Sequence, residues 1–337
     1  MILIIGGAGY VGCVLTEELL KHQKKVRVFD KLVYGDSYLG EIKKKVELIV
    51  GDVRRFDAEH LRGVDTVFYL AGVTNDATAD HNPKACYEIN THATERVALL
   101  CKEMGVRRFI FASSTSVYDH EVLANEGFFT ETSSIAPKGP YAISKHEAEM
   151  ALKKLASPQF CPIILRKGTL HGYSPRMRFD LVVNTFVKNG LMNGGFRVLN
   201  AGLAWRPILD IRDLIQAYFV CLEAPEDKVK AEIFNVATEN LRVIEIADIV
   251  KETLKELTGR IVRIDIDRKD IHSRSYRAST EKIQNKLGFT PQYPLADSVR
   301  FLASKLREMR LTDLDNPIYY NYRWMTSRRR RTLQSTE

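Results

Sequence analysis

Short apolar runs alternate with stretches of helical spacing through the first half of the chain. Met1 to Ile5 is wholly apolar and β-prone, and after a glycine-rich turn Cys13 to about His22 has helical periodicity. Lys25 to Asp30, Val46 to Val50, Thr66 to Gly72, Phe109 to Ala112 and Cys161 to Arg166 read as further strands, with helical spacing from Tyr87 to Met104 and from Pro140 to Glu149. Runs without a polar face suit strands covered on both sides. Their alternation with helices predicts an α/β fold built on a parallel, doubly wound sheet.

From Lys167 the texture changes. Gly168 to Arg178 is loop-like and basic, Phe179 to Asn189 looks helical, and residues 190–208 are rich in glycine. Asp210 to Asp213 opens a helix through about Leu222, Glu232 to Ala237 is a late strand, Ile244 to Leu257 is an amphipathic helix, and a last helix lies around Ala296 to Met309. At 337 residues, 45% hydrophobic and 27% charged, the chain has the composition of a soluble globular protein. No run is long enough to span a bilayer, and the opening lacks the basic leader of a signal peptide. Five scattered cysteines without a Cys-x-x-Cys pair suit buried thiols in a reducing cytoplasm and argue against a metal site. Half of the net charge of +8 comes from Arg328 to Arg331, read as a disordered, solvated tail over 328–337 rather than a nucleic-acid or membrane site.

The candidate chemistry begins at Gly6-Gly-Ala-Gly-Tyr-Val-Gly12, between the first strand and the first helix. Glycines there permit a tight turn and close approach of backbone to a pyrophosphate, whose charge the helix N-terminus stabilises. Asp30 closes the second strand eighteen residues after Gly12, where a carboxylate accepts bonds from ribose hydroxyls and repels a ribose phosphate. NAD is therefore favoured over NADP. Strands three and four lead into Gly51-Asp52-Val53 and Leu70-Ala71-Gly72, where a cofactor would lie, and Asn90 is either a helix cap or a brace for the site. Ser113 and Ser114 end the fifth strand, and Tyr141 and Lys145 share one helix face four residues apart. An ammonium beside the phenol lowers its pKa, which suits Tyr141 to general base catalysis. Arg176, Arg178, Arg206 and Arg274 are candidates for a substrate diphosphate.

Together with Trp205-Arg-Pro207 and Phe234-Asn-Val236, these motifs resemble the extended branch of the short-chain dehydrogenase/reductase superfamily, in particular its nucleotide-sugar epimerases and dehydratases. The resemblance implies a Rossmann-type NAD-binding domain over 1–166, with elements near 208–240 returning to it, and a smaller mixed α/β substrate domain over 167–327. It implies that Tyr141 is the acid/base, that Lys145 holds the nicotinamide ribose and that Ser114 is the second hydroxyl partner. Gly6, Gly9, Tyr10, Val11, Gly12, Asp30, Lys31, Asp52, Val53, Leu70, Ala71, Gly72, Asn90 and Ser113 are the implied cofactor positions. Thr115, Thr169, Arg176, Arg178, Arg206 and Arg274 are those for a nucleotide-diphosphate sugar. A homodimer through helices around 90–104 and 141–156 is also implied.

Departures narrow the expected reaction. Family dehydratases carry an Asp-Glu pair where this chain has Thr115 and Ser116, and the glutamate of the sugar-acid decarboxylases is missing as well. Asp119 replaces a glycine, Asp210 stands where histidine is common, and Thr169 takes the place of an asparagine of the UDP-galactose epimerases. Lys167 and His171 lie near the expected nicotinamide end as possible further acid/base groups. The expectation is a 4-epimerase working through a transient 4-keto sugar. The alternatives are a 4-ketoreductase or dehydrogenase, a 4,6-dehydratase, and a non-catalytic NAD-binding scaffold.

Overall fold

A computed structural model describes residues 1–118, 127–269, 274–309 and 313–334, with side chains through 327. Asp119 therefore lies outside the described residues. The central sheet has seven strands: β1 (Ile2–Ile5), β2 (Val26–Asp30), β3 (Glu47–Val50), β4 (Thr66–Tyr69), β5 (Arg108–Ser114), β6 (Cys161–Lys167) and β7 (Ile233–Val236). Every neighbouring pair is parallel, in the spatial order β3-β2-β1-β4-β5-β6-β7. The order reverses between β1 and β4, and a crevice opens at the carboxyl ends of a sheet wound this way.

Two-sided burial explains the apolar runs. Ile2 and Ile4 of β1 enter a core shared with Leu15 and Leu19 of α1 (Tyr10–Lys21), whereas Leu3 and Ile5 enter the opposite core. That second core takes Val97 and Cys101 from α2 (Ala93–Glu103) and Ala148 and Leu152 from α3 (Gly139–Leu155). Leu214 and Tyr218 of α4 (Ile211–Glu223) join α1 on the first face. All five cysteines are buried free thiols. The helical spacing before α2 is interrupted by a π-helical turn, Glu88–His92, which carries Asn90.

The second lobe is mixed. A three-stranded sheet joins Glu239–Arg242, Trp205–Asp210 and Thr169–His171 through one antiparallel and one parallel ladder. Around it the helices Val182–Asn193, Val243–Thr258 and Leu295–Glu308 bury Phe186, Val250 and Leu302 in a core of their own. The arginine run departs from expectation: its backbone continues α5 (Asn321–Gln334), so residues 328–334 are helical rather than an irregular tail. Arginine is a good helix former, and Trp324 and Asn321 anchor the helix upstream. Among the described residues no helix is long and apolar enough to cross a membrane.

Beneath the carboxyl end of β5, Arg166 of β6 forms a fork with Glu149 of α3, the side chains 2% and 0% exposed. Burial opposes the Glu149 charge, but the neighbouring His146 ring and the bonds from Arg166 outweigh it and hold the carboxyl below its usual range. The pair therefore stabilises the fold above the ordinary carboxylate pKa and loses that contribution as pH falls through the lowered value. Arg166→Met strands a buried carboxylate, and urea titration should show a loss of about 3–5 kcal/mol at neutral pH. A loss below about 1 kcal/mol, the scale of a surface pair, would contradict this account.

Candidate functional site

The glycine loop turns tightly because Gly6 sits at φ +89°, where a Cβ would lie 2.7 Å from the Ala71 nitrogen. A Cβ on Gly12 would lie 2.3 Å from the Gly6 carbonyl, so α1 packs directly on its own loop. Gly9 caps α1 without a side-chain bond to the first-turn amides, a setting suited to a phosphate. Asp30 accepts bonds from the Ala8 amide at 3.0 Å and the Leu32 amide at 2.7 Å, which aim its carboxylate across the loop, and burial raises its pKa. Gly6, Gly9, Tyr10, Val11, Gly12, Asp30, Lys31, Asp52, Val53, Leu70, Ala71 and Gly72 all line one cleft. Lys31 is paired with Asp52 at 2.8 Å, and Arg54 bonds hold the Asp52 carboxyl well below its usual range. These residues fit a dinucleotide.

Next to the cleft, Tyr141 lies in the first turn of α3 close to Ser114 at the end of β5. Burial raises the phenol's pKa, against the nearby Ser114 hydroxyl and the Arg178 charge. The expected pairing of Lys145 with the phenol is not what positions either group. The Lys145 ammonium donates to the Ala112 carbonyl at 3.0 Å and sits 4.7 Å from the centre of the Phe111 ring, and burial pushes it down to about 8.

Two expected cofactor contacts lie behind the cleft wall. Ser113 is fully buried with its hydroxyl on Glu149. Asn90 is fully buried as well, exchanging bonds with the Val73 amide and carbonyl at 2.8 and 3.0 Å, so it braces the loop after β4.

The expected substrate residues separate into three places. Thr115 is buried and donates to the Lys167 carbonyl at 3.2 Å. Thr169, partly buried, opens a strand of the second lobe. Arg176 and Arg178 line the cleft: Arg176 lies 3.6 Å from the centre of the Tyr34 ring and donates to Asn321 at 2.7 Å, and Arg178 forks onto Asp180 at 2.9 Å. Arg206 donates to the Arg274 carbonyl, and Arg274 pairs with Asp76, so these two come together apart from the first pair. Asp210 caps α4 and pairs with Arg212 at 2.9 Å, a structural role. His171 is fully buried, with a pKa lowered by burial to about 4, hence neutral.

The sequence reading missed the contribution of α5. Asn321 donates to Thr74 at 2.8 Å, the Trp324 indole donates to the Val33 carbonyl at 2.8 Å, and Met325 lines the cleft. The helix thus joins the loops after β2 and β4 over the cofactor side. The available signal was Trp324 and Met325 set among arginines, overshadowed by charge.

A doubly wound sheet with a glycine loop after its first strand, an acid after its second, and Ser, Tyr and Lys converging at its fifth defines a dinucleotide-dependent enzyme class. The sequence profile of the NAD dependent epimerase/dehydratase family matches residues 2–237, and the chain belongs to that family. NAD is its cofactor. Among curated relatives, an uncharacterized UDP-glucose epimerase of Bacillus subtilis (strain 168) is 26% identical over 314 residues, 88% of this chain and 95% of that protein. The dTDP-glucose 4,6-dehydratase DesIV of Streptomyces venezuelae, solved with NAD and TYD bound, superposes with a TM-score of 0.78 at 25% identity, covering 92% of this chain and 97% of that one. A UDP-glucuronic acid 4-epimerase of Bacillus cereus shares the fold with a TM-score of 0.80 at 22% identity, over 91% and 99% of the two chains.

Trp324→Ala removes a tie between α5 and the loop after β2. Exchange of bound NAD for isotopically labelled NAD, followed by mass spectrometry, should quicken about tenfold, the worth of one well-made hydrogen bond. An unchanged rate would mean that α5 does not bear on the cofactor.

Proposed function

We propose that this protein is a nucleotide-sugar 4-epimerase that works with resident NAD. The observation carrying the reading is the pair of hydroxyls that follows Ser114. Thr115 and Ser116 are buried, and the Thr115 hydroxyl is engaged with the Lys167 carbonyl. Elimination of water from a sugar needs an acid and a base beside the leaving hydroxyl, and these two side chains supply neither. Removal and return of hydride at one carbon remains.

Tyr141 takes the proton of the C4 hydroxyl and later returns it, and Ser114 shares the same oxygen. Lys145 stands one helical turn on, placed to hold the nicotinamide ribose. NAD, when bound, supplies the hydride acceptor and donor at C4, and its positive nicotinamide favours the phenolate that burial disfavours. The keto sugar must turn over between the two transfers, with the Ser114 and Tyr141 oxygens as its pivot. The same reading includes a homodimer through the outer faces of α2 and α3, where Leu99 is exposed; light scattering checks it.

The test is incubation without added cofactor on UDP-, dTDP-, GDP- and CDP-sugars, with products read by mass spectrometry and proton NMR. An isobaric product inverted at C4 is expected, whereas loss of water would point to a dehydratase. Tyr141→Phe should lower kcat by about 10²–10⁴-fold with the NAD content unchanged. Wild-type turnover in that variant would remove Tyr141 from the mechanism.

A further inference from the structure

Lys167 is the last residue of β6 and pairs in register with Ser114, the last residue of β5. Their side chains leave the same end of the sheet, so Lys167 stands at the reacting end of the cleft, which it lines beside Ala112, Leu170 and Arg178. Three other cations line that cleft, and each has a partner: Lys31 has Asp52, Arg178 has Asp180, and Arg176 has Asn321 and the Tyr34 ring. Among the described residues the Lys167 ammonium has no hydrogen-bond or ion-pair partner. Charges facing it are Lys145 from α3 and Arg178 from the segment after β6, both of its own sign.

We infer that Lys167 binds a carboxylate carried by the sugar ring, and so selects nucleotide-linked sugar acids over neutral hexoses. The inference deepens the epimerase reading and rests on it for the orientation of the substrate, with the sugar against Ser114 and Tyr141. A diphosphate is a poor match for Lys167, because it lies a sugar's length from the reacting hydroxyl. A neutral hexose leaves a partly buried ammonium without a counter-charge, and a carboxylate supplies one through a charge-assisted bond. Selectivity then comes as much from rejecting the neutral sugar as from attracting the acid.

Burial and the two like charges pull the Lys167 pKa down to about 7. The ammonium is charged below that value, so affinity for the acidic sugar is greatest at low pH and falls as pH rises through it.

The experiment uses the NAD-loaded full chain and two probe pairs, UDP-glucuronic acid with UDP-glucose and dTDP-glucuronic acid with dTDP-glucose. Binding is read by calorimetry at about pH 6 and about pH 8.5, either side of the Lys167 transition. Wild type should favour an acidic sugar at least about tenfold at the lower pH, and less at the higher. Lys167→Met should abolish the preference, weakening binding of the acid and strengthening that of the neutral sugar, and Lys167→Arg should keep it at both pH values. Equal affinity for acid and neutral sugar in the wild type, binding of neither, or a preference that survives in Lys167→Met overturns the assignment. Turnover is followed separately by NMR: selective binding without C4 inversion would sink the epimerase reading while leaving the Lys167 contact in place.

Discussion

The buried fork between Glu149 and Arg166 is the interaction on which the reacting end depends. It joins α3 to β6, and Ser113 of β5 adds a bond to the same carboxylate. Arg166 also donates to the Tyr118 hydroxyl at 2.8 Å, which donates in turn to Asn235 of β7 at 2.8 Å. Three adjacent strands and the helix that carries Tyr141 and Lys145 are thereby locked at one depth. The placement of Ser114 at the end of β5 and of Tyr141 on α3 depends on this network, which ties that strand and that helix to one buried carboxylate. A paired charge this deep is expensive to form and tolerates little displacement.

How much of this was legible in the sequence follows the range of the interactions concerned. β1, the glycine loop and Asp30 were readable because their signals are local: an apolar run, a turn that excludes Cβ atoms, an acid at a strand end. Tyr141 and Lys145 were readable as a helical pair, but their electrostatics were not. The Lys145 partner is a carbonyl 33 residues away, and burial governs the charge of both groups. Ser113 and Asn90 were placed against the cofactor because their positions are adjacent to it. Which way a side chain points from a strand end or a π-helical turn depends on partners such as Glu149 and Val73, which no local pattern announces.

The arginines show the same limit more sharply. Arg176 meets Asn321 across 145 residues of sequence, and Arg206 meets the Arg274 carbonyl across 68. In the sequence each of the four is a candidate for a substrate diphosphate, because a guanidinium fork matches phosphate oxygens. In the fold they form two groups, one on the cofactor side of the cleft and one at the edge of the second lobe. Lys167 is the opposite case: its strand-end position was visible, but its lack of a partner among the described residues is a property of the folded cleft alone.

α5 gives the molecule an unusual economy. The wall around the cofactor draws on Gly6 at one end of the sequence and Met325 at the other, so occupancy of the cleft is thermodynamically linked to docking of a helix far from the glycine loop. A ligand that binds only the docked form stabilises that form in proportion to the logarithm of its concentration over its dissociation constant. A proteolytic cut near Asn321, which would spare every core strand, would thus register first as leakage of the dinucleotide. The protein's redox content becomes a reporter of its covalent integrity.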